Sequence, residues 1–204
     1  MGICYIVGAV PFTGRFRPQT GDFVIAADGG WEGLKEKGIR PDVIVGDFDS
    51  SAPPAAEEAE KIIRVPCKKD DTDSALAAKE GIRRGYENFV FYGCLGGALD
   101  HTFANIQLLY GLMKQGFRGC LVGDGVTAVV LTGGKTAHFD RLSGRVSVFS
   151  LTEVSRGVTL AGLEYPLRDA VLTSDTPLGV SNRGLGGAAS VSVGEGALLL
   201  LLYT

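Results

Sequence analysis

The pattern of apolar segments changes once along this chain, near residue 125, and this change constrains the fold more than any other feature. Before it, short apolar runs alternate with segments of helical periodicity, and after it only strand-like runs and turns follow. Repeated strand–helix units predict a parallel sheet with helices on both faces. A succession of short strands predicts a sandwich. We therefore expect an α/β domain over residues 1–125 and an all-β sandwich over residues 126–204.

The boundaries of the individual elements follow from the same pattern. In the first part, strands are predicted over residues 3–8, 23–27, 43–46, 62–65, 89–93 and 119–123. Helices are predicted over residues 31–37, 54–61, 72–85 and 99–115, the third beginning at a Thr/Asp cap. In the second part, strands are predicted over residues 126–132, 136–139, 145–151, 158–160, 170–172, 190–193 and 197–203. No helix is predicted after residue 125.

Five aspartates lie in two short loops, each of which follows a predicted strand. Asp47 and Asp49 follow residues 43–46, and Asp70, Asp71 and Asp73 follow residues 62–65. Carboxylates this close raise each other's pKa unless a cation lies among them. Oxygen-only ligands suit Mg²⁺, which is usually held by one or two carboxylates together with substrate phosphates. The two loops therefore indicate chemistry on a nucleotide or another phosphate compound.

Two further loops follow predicted strands in the same way, Asp28-Gly29-Gly30 and the segment 96–101. A single aspartate in such a loop most often caps a helix or makes a turn. Four loops at the carboxyl ends of parallel strands favour one shared site, because ligands of open α/β sheets bind at that edge.

The segment 96–101 resembles an anion-binding turn that leads into a helix. Gly96 and Gly97 allow backbone N–H groups to face an anion at the helix N-terminus. Asp100 and His101 then enter the helix, and His101 and Asn105 stand four residues apart on one face. The alternative is that Asp100 only caps the helix and His101 only orients it.

Lys69 and the segment 178–182 have less specific sequence patterns. Lys69 either balances the carboxylates and contacts a phosphate, or is a solvated lysine beside Lys68. The segment 178–182 ends in Ser181 and Asn182 beside a turn and is predicted to be a loop.

Composition excludes several classes of protein. The net charge is −3 and no basic run occurs, which argues against nucleic-acid binding. The longest apolar run, residues 197–202, is too short to span a bilayer. The four cysteines form no C-x-x-C pair and are expected to be reduced, mostly buried thiols. No secretory signal is recognisable, so a cytoplasmic protein is expected.

Taken together, these loops closely resemble those of the bacterial thiamine pyrophosphokinase (thiamine diphosphokinase) family. The resemblance covers nearly the whole chain and rests on the order and spacing of five motifs. The motifs are Ala27-Asp28-Gly29-Gly30, Val45-Gly46-Asp47-Phe48-Asp49-Ser50, Lys69-Asp70-Asp71-Thr72-Asp73, Gly96-Gly97-Ala98-Leu99-Asp100-His101 with Asn105, and Gly179-Val180-Ser181-Asn182.

The resemblance implies an activity and an assembly. Members of the family combine an N-terminal α/β domain, which binds ATP and Mg²⁺, with a C-terminal β-sandwich, which binds thiamine. They transfer the pyrophosphoryl group of ATP to the thiamine hydroxyl, giving thiamine diphosphate and AMP. They work as homodimers with active sites between the subunits.

The resemblance also implies roles for individual residues. Metal ligands would be Asp47, Asp49, Asp70 and Asp73. Catalytic residues would be Asp49, Asp71, Asp73 and Asp100, with Asp71 and Asp100 as alternatives for accepting the hydroxyl proton. ATP contacts would be Asp28, Gly29, Lys69, Gly96, Gly97, His101 and Asn105. Thiamine contacts would be Asp100, Tyr165, Ser181 and Asn182, with the Tyr165 ring able to stack on thiamine.

The chain departs from the family pattern at Ala98, where many relatives carry an arginine. That arginine would offer a forked, permanently charged contact to phosphate. Two other interpretations therefore stay open. One is a related pyrophosphokinase acting on another hydroxymethyl compound, such as a pterin. The other is a nucleotide- or thiamine-binding protein without catalytic activity.

Overall fold

The structure is a computed structural model that describes residues 2–14, 16–48, 54–66 and 70–204. Asp49 and Lys69, both predicted site residues, lie outside this part of the chain. The chain divides into two compact units, Met1–Asp124 and Gly125–Thr204. Among the helices of the described residues, none is long and apolar enough to cross a membrane.

The described residues of the first unit form six strands, all of which pair in parallel. Their order across the sheet is β6-β5-β1-β2-β3-β4. Five of the six are largely apolar, as expected for strands that are covered on both faces. The strands are β1 (Cys4–Val7), β2 (Phe23–Ala27), β3 (Val43–Gly46), β4 (Lys61–Arg64), β5 (Asn88–Tyr92) and β6 (Arg118–Gly123).

Helices and one long connection cover the two faces of this sheet. The helices are α1 (Gly30–Glu36), α2 (Asp73–Arg83) and α3 (Leu99–Lys114). On one face, Leu34 of α1 packs in a cluster with Phe12 and Phe16, which come from the connection between β1 and β2. On the other face, α2 lies so close to the sheet that a Cβ at Gly81 would meet Cys4 Sγ at 2.7 Å. This architecture confirms the predicted α/β class.

The helix predicted over residues 54–61 is wrong. Only a single 3₁₀ turn forms, over Ala56–Glu58, and the chain is extended at Ala59, where φ is −147° and ψ is 167°. The guanidinium of Arg40 donates hydrogen bonds to the carbonyl oxygens of Glu57 and Ala59, at 2.9 Å each. These carbonyl groups are therefore bound from outside the turn, and the chain straightens in time for Lys61 to pair with Val43.

The second unit consists of two antiparallel four-stranded sheets, β12-β9-β14-β7 and β11-β10-β13-β8. Its strands are β7 (Val126–Thr132), β8 (Lys135–Phe139), β9 (Ser143–Ser150), β10 (Val154–Ala161), β11 (Leu167–Thr173), β12 (Gly179–Leu185), β13 (Ala189–Val193) and β14 (Ala197–Tyr203). Alternate residues of both sheets form one apolar core that includes Val148, Leu160, Val191 and Leu200. The predicted all-β sandwich is confirmed.

The loop predicted over residues 178–182 is wrong, because residues from Gly179 onward belong to strand β12. The strand lies at the edge of its sheet, and its pairing register with β9 shifts between Gly179 and Asn182. The shift interrupts the alternation of apolar and polar residues by which a strand is recognised in a sequence. Gly179 approaches its neighbour so closely that a Cβ would lie 2.3 Å from the carbonyl oxygen of Val148.

Candidate active site

A cleft of about 270 Å³ opens at the carboxyl ends of the parallel strands in the first unit. From β1 the sheet continues to β2, β3 and β4 on one side and to β5 and β6 on the other. Ligands in open α/β sheets bind at such a reversal of strand order. The lining comes from the loops after β1, β2 and β5 and from the first turns of α2 and α3.

Three carboxylates meet at this edge of the sheet. Asp28 follows β2, Asp47 follows β3, and Asp73 is the first residue of α2. One carboxylate oxygen of each lies within 4.8 Å of the other two, and all three residues are half-buried. Converging carboxylate oxygens are the donor set that Mg²⁺ prefers. The group therefore suits a divalent cation, and it includes Asp28, which the sequence pattern assigned to ATP rather than to metal.

The backbone around this acidic group adopts conformations that are rare for residues with side chains. Asp28 has a φ of 48° and Phe48 a φ of 54°, both in the left-handed region. The N–H of Asp28 donates to the carbonyl oxygen of Val45 at 2.7 Å, which ties the turn to strand β3. Each such conformation costs about 1–3 kcal/mol and is typical of functional sites. The position of Asp28 is thus maintained against local strain.

The first turn of α2 brings Asp73, and not its acidic neighbours, into the group. Thr72 caps the helix, with its Oγ1 accepting from the N–H of Ala75 at 3.2 Å, as the sequence predicted. Asp71 forms an ion pair with Lys79, at 2.6 Å between Oδ2 and Nζ. Asp70 is exposed, and the three-carboxylate group found among the described residues does not include it.

The loop between β5 and α3 carries the predicted glycine turn. Gly96 and Gly97 have φ values of 84° and 64°, which glycine adopts readily. Ala98 is the cap residue of α3 and provides no side-chain hydrogen bond. Asp100 lies inside the first turn, where its Oδ1 accepts from the N–H of His101 at 2.8 Å. Asp100 therefore does not cap the helix, and His101 lies at the wall of the cleft.

Asn105 and Cys94 shape the cleft from below. Asn105 is buried, and its Nδ2 donates to the carbonyl oxygen of Cys94 at 3.0 Å. Burial raises the pKa of the Cys94 thiol to about 11, so the thiol stays protonated at neutral pH. Cys4, Cys94 and Cys120 are all free cysteines, as predicted. The Asn105 amide thus fixes the loop after β5, whatever else it contacts.

The residues predicted to contact thiamine lie in the second unit, with one exception, Asp100. Tyr165 and Ser181 are exposed, whereas Asn182 is buried and hydrogen-bonded to the backbone of Tyr165. The N–H of Ser181 donates to Oγ of Ser147, a residue that no sequence signal singled out. A serine inside an apolar strand is too common to be recognised as a support for a site.

Comparison with known proteins assigns the chain to a family. A family profile described as "Thiamin pyrophosphokinase, catalytic domain" matches residues 19–121. A second profile, "Thiamin pyrophosphokinase, vitamin B1 binding domain", matches residues 138–198. The chain belongs to the thiamine pyrophosphokinase family. The family prediction made from the motifs is therefore confirmed, and enzymes of this family are ATP-dependent diphosphotransferases.

Individual thiamine pyrophosphokinases agree with this assignment. The curated Thiamine pyrophosphokinase of Bacillus subtilis (strain 168) is 28% identical over 185 residues, which are 88% of this chain and 86% of that protein. The crystal structure of thiamin pyrophosphokinase from Geobacillus thermodenitrificans has a TM-score of 0.82 and 27% identity, covering 99% of this chain and 97% of the other. A crystal structure from Bacillus subtilis, at 24% identity, has a TM-score of 0.85 and covers 99% of both chains.

Proposed function

We propose that this chain transfers the pyrophosphoryl group of ATP to the hydroxyl group of thiamine, giving thiamine diphosphate and AMP. In this reaction the hydroxyl oxygen forms a bond to the β-phosphorus of ATP while the bond between that phosphorus and the oxygen bridging to the α-phosphorus breaks. The observation that carries the proposal is the convergence of Asp28, Asp47 and Asp73 in a switch-point cleft. Membership of the family supports the choice of substrates.

We assign the two substrates to the two parts of the chain. Residues 1–125 would bind ATP, through the glycine turn at Gly96 and Gly97 and the N-terminus of α3, where backbone N–H groups and the helix dipole favour phosphate. Residues 126–204 would bind thiamine, through Tyr165 and Ser181. Ala98 offers no guanidinium, so phosphate contacts at that turn would depend on backbone N–H groups.

Asp28, Asp47 and Asp73 would hold Mg²⁺, with Asp49 as a further ligand. When bound, a divalent cation supplies neutralisation of the charge on the ATP phosphates. The acidic group itself then orients the phosphate chain in the cleft, because an ATP molecule without a cation would be repelled by three carboxylates. Catalysis would come mainly from positioning and electrostatics rather than from a covalent step on the protein.

Asp100 is the better candidate for accepting the proton of the thiamine hydroxyl. Its neighbours Gly96 and His101 line the cleft, and the N–H of His101 holds one of its oxygens in place. Asp71, the alternative, is engaged in an ion pair with Lys79. A carboxylate already paired with an ammonium group is a weaker base, because the positive charge favours its ionised form.

We further propose a cytoplasmic homodimer with active sites between subunits. Exposed apolar side chains support an association of this kind, since Leu99 is 82% and Phe103 59% exposed on consecutive turns of α3. Light scattering should then give twice the mass of one chain. A monomer that is active at every concentration would contradict the shared site.

The deciding experiment is incubation of the purified protein with ATP and thiamine, following AMP and thiamine diphosphate by chromatography. We expect equal amounts of the two products, loss of both on addition of EDTA, and recovery with excess Mg²⁺. AMP formation only with a hydroxymethylpterin would indicate the alternative acceptor. Binding of thiamine or ATP by calorimetry without any AMP would indicate a non-catalytic protein, and either result would overturn the proposal.

A further inference from the structure

Two polar side chains in the second unit are buried where apolar residues would be expected. Asn182 on β12 and Ser147 on β9 are each only 4% exposed. A buried polar group must find a hydrogen-bond partner, or its desolvation is not compensated. In both cases the partner is the backbone of an exposed residue, Tyr165 for Asn182 and Ser181 for Ser147.

The Asn182 side chain binds both backbone groups of Tyr165. Its Oδ1 accepts from the Tyr165 N–H at 3.0 Å, and its Nδ2 donates to the Tyr165 carbonyl oxygen at 2.7 Å. The same Oδ1 accepts from the N–H of Arg183 at 2.8 Å. Tyr165 lies between β10 and β11, outside any strand, and its side chain is 62% exposed. The amide thus fixes the direction in which the Tyr165 ring leaves the backbone.

Ser147 does the same for Ser181. The register shift between β12 and β9 leaves Ser181 out of the regular ladder, with a φ of 60°. A bulged residue loses its ladder partner. The Oγ of Ser147 replaces that partner by accepting from the Ser181 N–H at 3.1 Å. The conformation that turns the Ser181 side chain outward is therefore supported by a buried hydrogen bond.

We infer that Asn182 and Ser147 are positioning residues for the acceptor site, which hold the Tyr165 ring and the Ser181 hydroxyl ready for an aromatic substrate that carries polar groups. The inference rests on the proposed function, in which Tyr165 and Ser181 contact thiamine. It also changes the role of Asn182, which supports the surface through the backbone rather than contacting the substrate. Fixing these groups before binding lowers the entropy lost when the substrate is ordered.

The test compares Asn182→Ala and Ser147→Ala with a control at another buried serine of the same unit. Ser155 is fully buried, and its Oγ donates to the carbonyl oxygen of Ala197 at 3.0 Å. For each variant, the KM values for thiamine and for ATP and the thermal unfolding midpoint are measured. We expect the KM for thiamine to rise about tenfold in Asn182→Ala and about threefold in Ser147→Ala, with the KM for ATP unchanged. Ser155→Ala should lower the midpoint and leave both KM values unchanged.

A merely structural role predicts a different result. In that case all three variants lower the unfolding midpoint and none changes the KM for thiamine, and the inference is overturned. Asn182→Asp keeps an acceptor for the N–H groups of Tyr165 and Arg183 but loses the donor to the Tyr165 carbonyl oxygen. Its KM for thiamine should lie between those of the wild type and Asn182→Ala. If Asn182→Ala does not fold, Asn182→Asp and Ser147→Ala carry the test.

Thiamine binding measured by calorimetry without ATP separates this inference from the proposed function. A wild type that binds thiamine but makes no AMP overturns the proposed function, while weaker binding by Asn182→Ala still supports the positioning role. A wild type that binds no thiamine overturns both. Equal thiamine affinity in the wild type, Asn182→Ala and Ser147→Ala overturns the positioning role alone.

Discussion

The two units prepare their polar groups for a ligand in opposite ways. In the first, Asp28, Asp47 and Asp73 come from three separate segments and bring like charges within 4.8 Å of one another. In the second, the polar side chains of Ser147 and Asn182 are buried and bonded to backbone, and they present other residues to the outside. The first unit concentrates charge, whereas the second fixes geometry.

This difference indicates what each region tolerates. A group of carboxylates depends on the number of its charges, so a replacement of the same shape without charge should be severe. A surface held by backbone hydrogen bonds depends on angles and distances, so it should respond to changes in strain and support. Isosteric charge removal, insertion of a methyl group, removal of an ion pair and relief of strain therefore probe the comparison, in falling order of expected effect.

The largest effect is expected for Asp73→Asn, which keeps the shape of the side chain and removes one charge from the acidic group. We expect the rate of AMP formation to fall by about 10²–10³-fold with the fold intact, because electrostatic stabilisation of the transferred group is lost. The rate is measured at saturating ATP and thiamine, and the fold by circular dichroism. Glu87→Gln, which removes an exposed charge from the same unit, is the matched control and should be neutral.

Asp70→Asn sharpens this test, because Asp70 was predicted as a metal ligand but lies outside the group of three. An effect much smaller than that of Asp73→Asn would restrict the metal site to the observed group. An equal loss in both variants would return Asp70 to the ligand set. Near-full turnover by Asp73→Asn would contradict the assignment of the acidic group as the metal site.

Gly46→Ala should have the next largest effect on activity. The added Cβ would lie 3.1 Å from both Asp28 Cα and Phe48 Cε1, so that the turn carrying Asp28 must shift by a few tenths of an ångström. Because a misplacement of 1 Å costs about 100-fold in rate, we expect kcat/KM for ATP to fall by about tenfold. Steady-state kinetics at varied ATP measure this effect.

Gly33→Ala is the control for Gly46→Ala, since a Cβ at Gly33 in α1 meets nothing within 4 Å. Alanine in a helix is favoured over glycine by about 1 kcal/mol, so this variant should be slightly more stable and fully active. Full activity of Gly46→Ala would show that the acidic group adapts to the shift, and that its exact geometry is less important than its charge.

The sequence predicted the first unit more completely than the second. Apolar runs that end in aspartate identify both a buried strand and a polar loop, so β2 and β3 and the positions of Asp28 and Asp47 followed from the same pattern. The Thr72 cap fixed the start of α2 in the same way. The helix predicted over residues 54–61 failed because Arg40, distant in sequence, binds two of its carbonyl groups.

The second unit was less predictable because its determinants are not local. Strand β12 is an edge strand with a register shift, and its polar, glycine-containing sequence has no simple alternation. The bond between Asn182 and Tyr165 joins residues 17 positions apart, and that between Ser147 and Ser181 joins residues 34 apart. Serine and asparagine are common in loops, so neither residue type indicates a support for a binding surface.

Glu80 tests whether acids outside the cleft act in a different way. It is buried on α2 and accepts hydrogen bonds from the guanidinium groups of Arg83 and Arg84, at 2.7–3.0 Å. The hydrogen bond from Arg83 is the main cause that lowers the pKa of this carboxyl to about 2. We expect Glu80→Gln to lose about 1–2 kcal/mol of unfolding free energy at pH 7, without loss of turnover.

The pH dependence follows from the sign of the shift. A carboxyl with a lowered pKa stabilises the fold fully above its ordinary value of 4.5, and the contribution is lost as the pH falls toward 2. Urea unfolding of the wild type and Glu80→Gln at pH 7, 5, 4 and 3 should therefore show a difference that shrinks below about pH 4.5. A difference that stays constant down to pH 3 would show that Glu80 acts through packing rather than charge.

The smallest effect is expected at Ser181, where the second unit maintains a left-handed backbone conformation, with a φ of 60°. Ser181→Gly should be more stable than Ser181→Ala by about 0.5–1 kcal/mol, because only glycine adopts this φ without a steric cost. Both variants keep the hydrogen bond to Ser147, since its donor is the backbone N–H. Chemical unfolding of the two variants gives the difference directly.

The kinetics of the same two variants then separate strain from contact at this position. If the Ser181 hydroxyl contacts thiamine, both variants lack that contact, and the KM for thiamine should rise in both. A rise in Ser181→Gly alone would mean that backbone rigidity, and not the hydroxyl, determines binding. If Ser181→Gly is less stable than Ser181→Ala, the backbone is not strained there, and the contrast between a unit that concentrates charge and one that fixes geometry loses its clearest evidence.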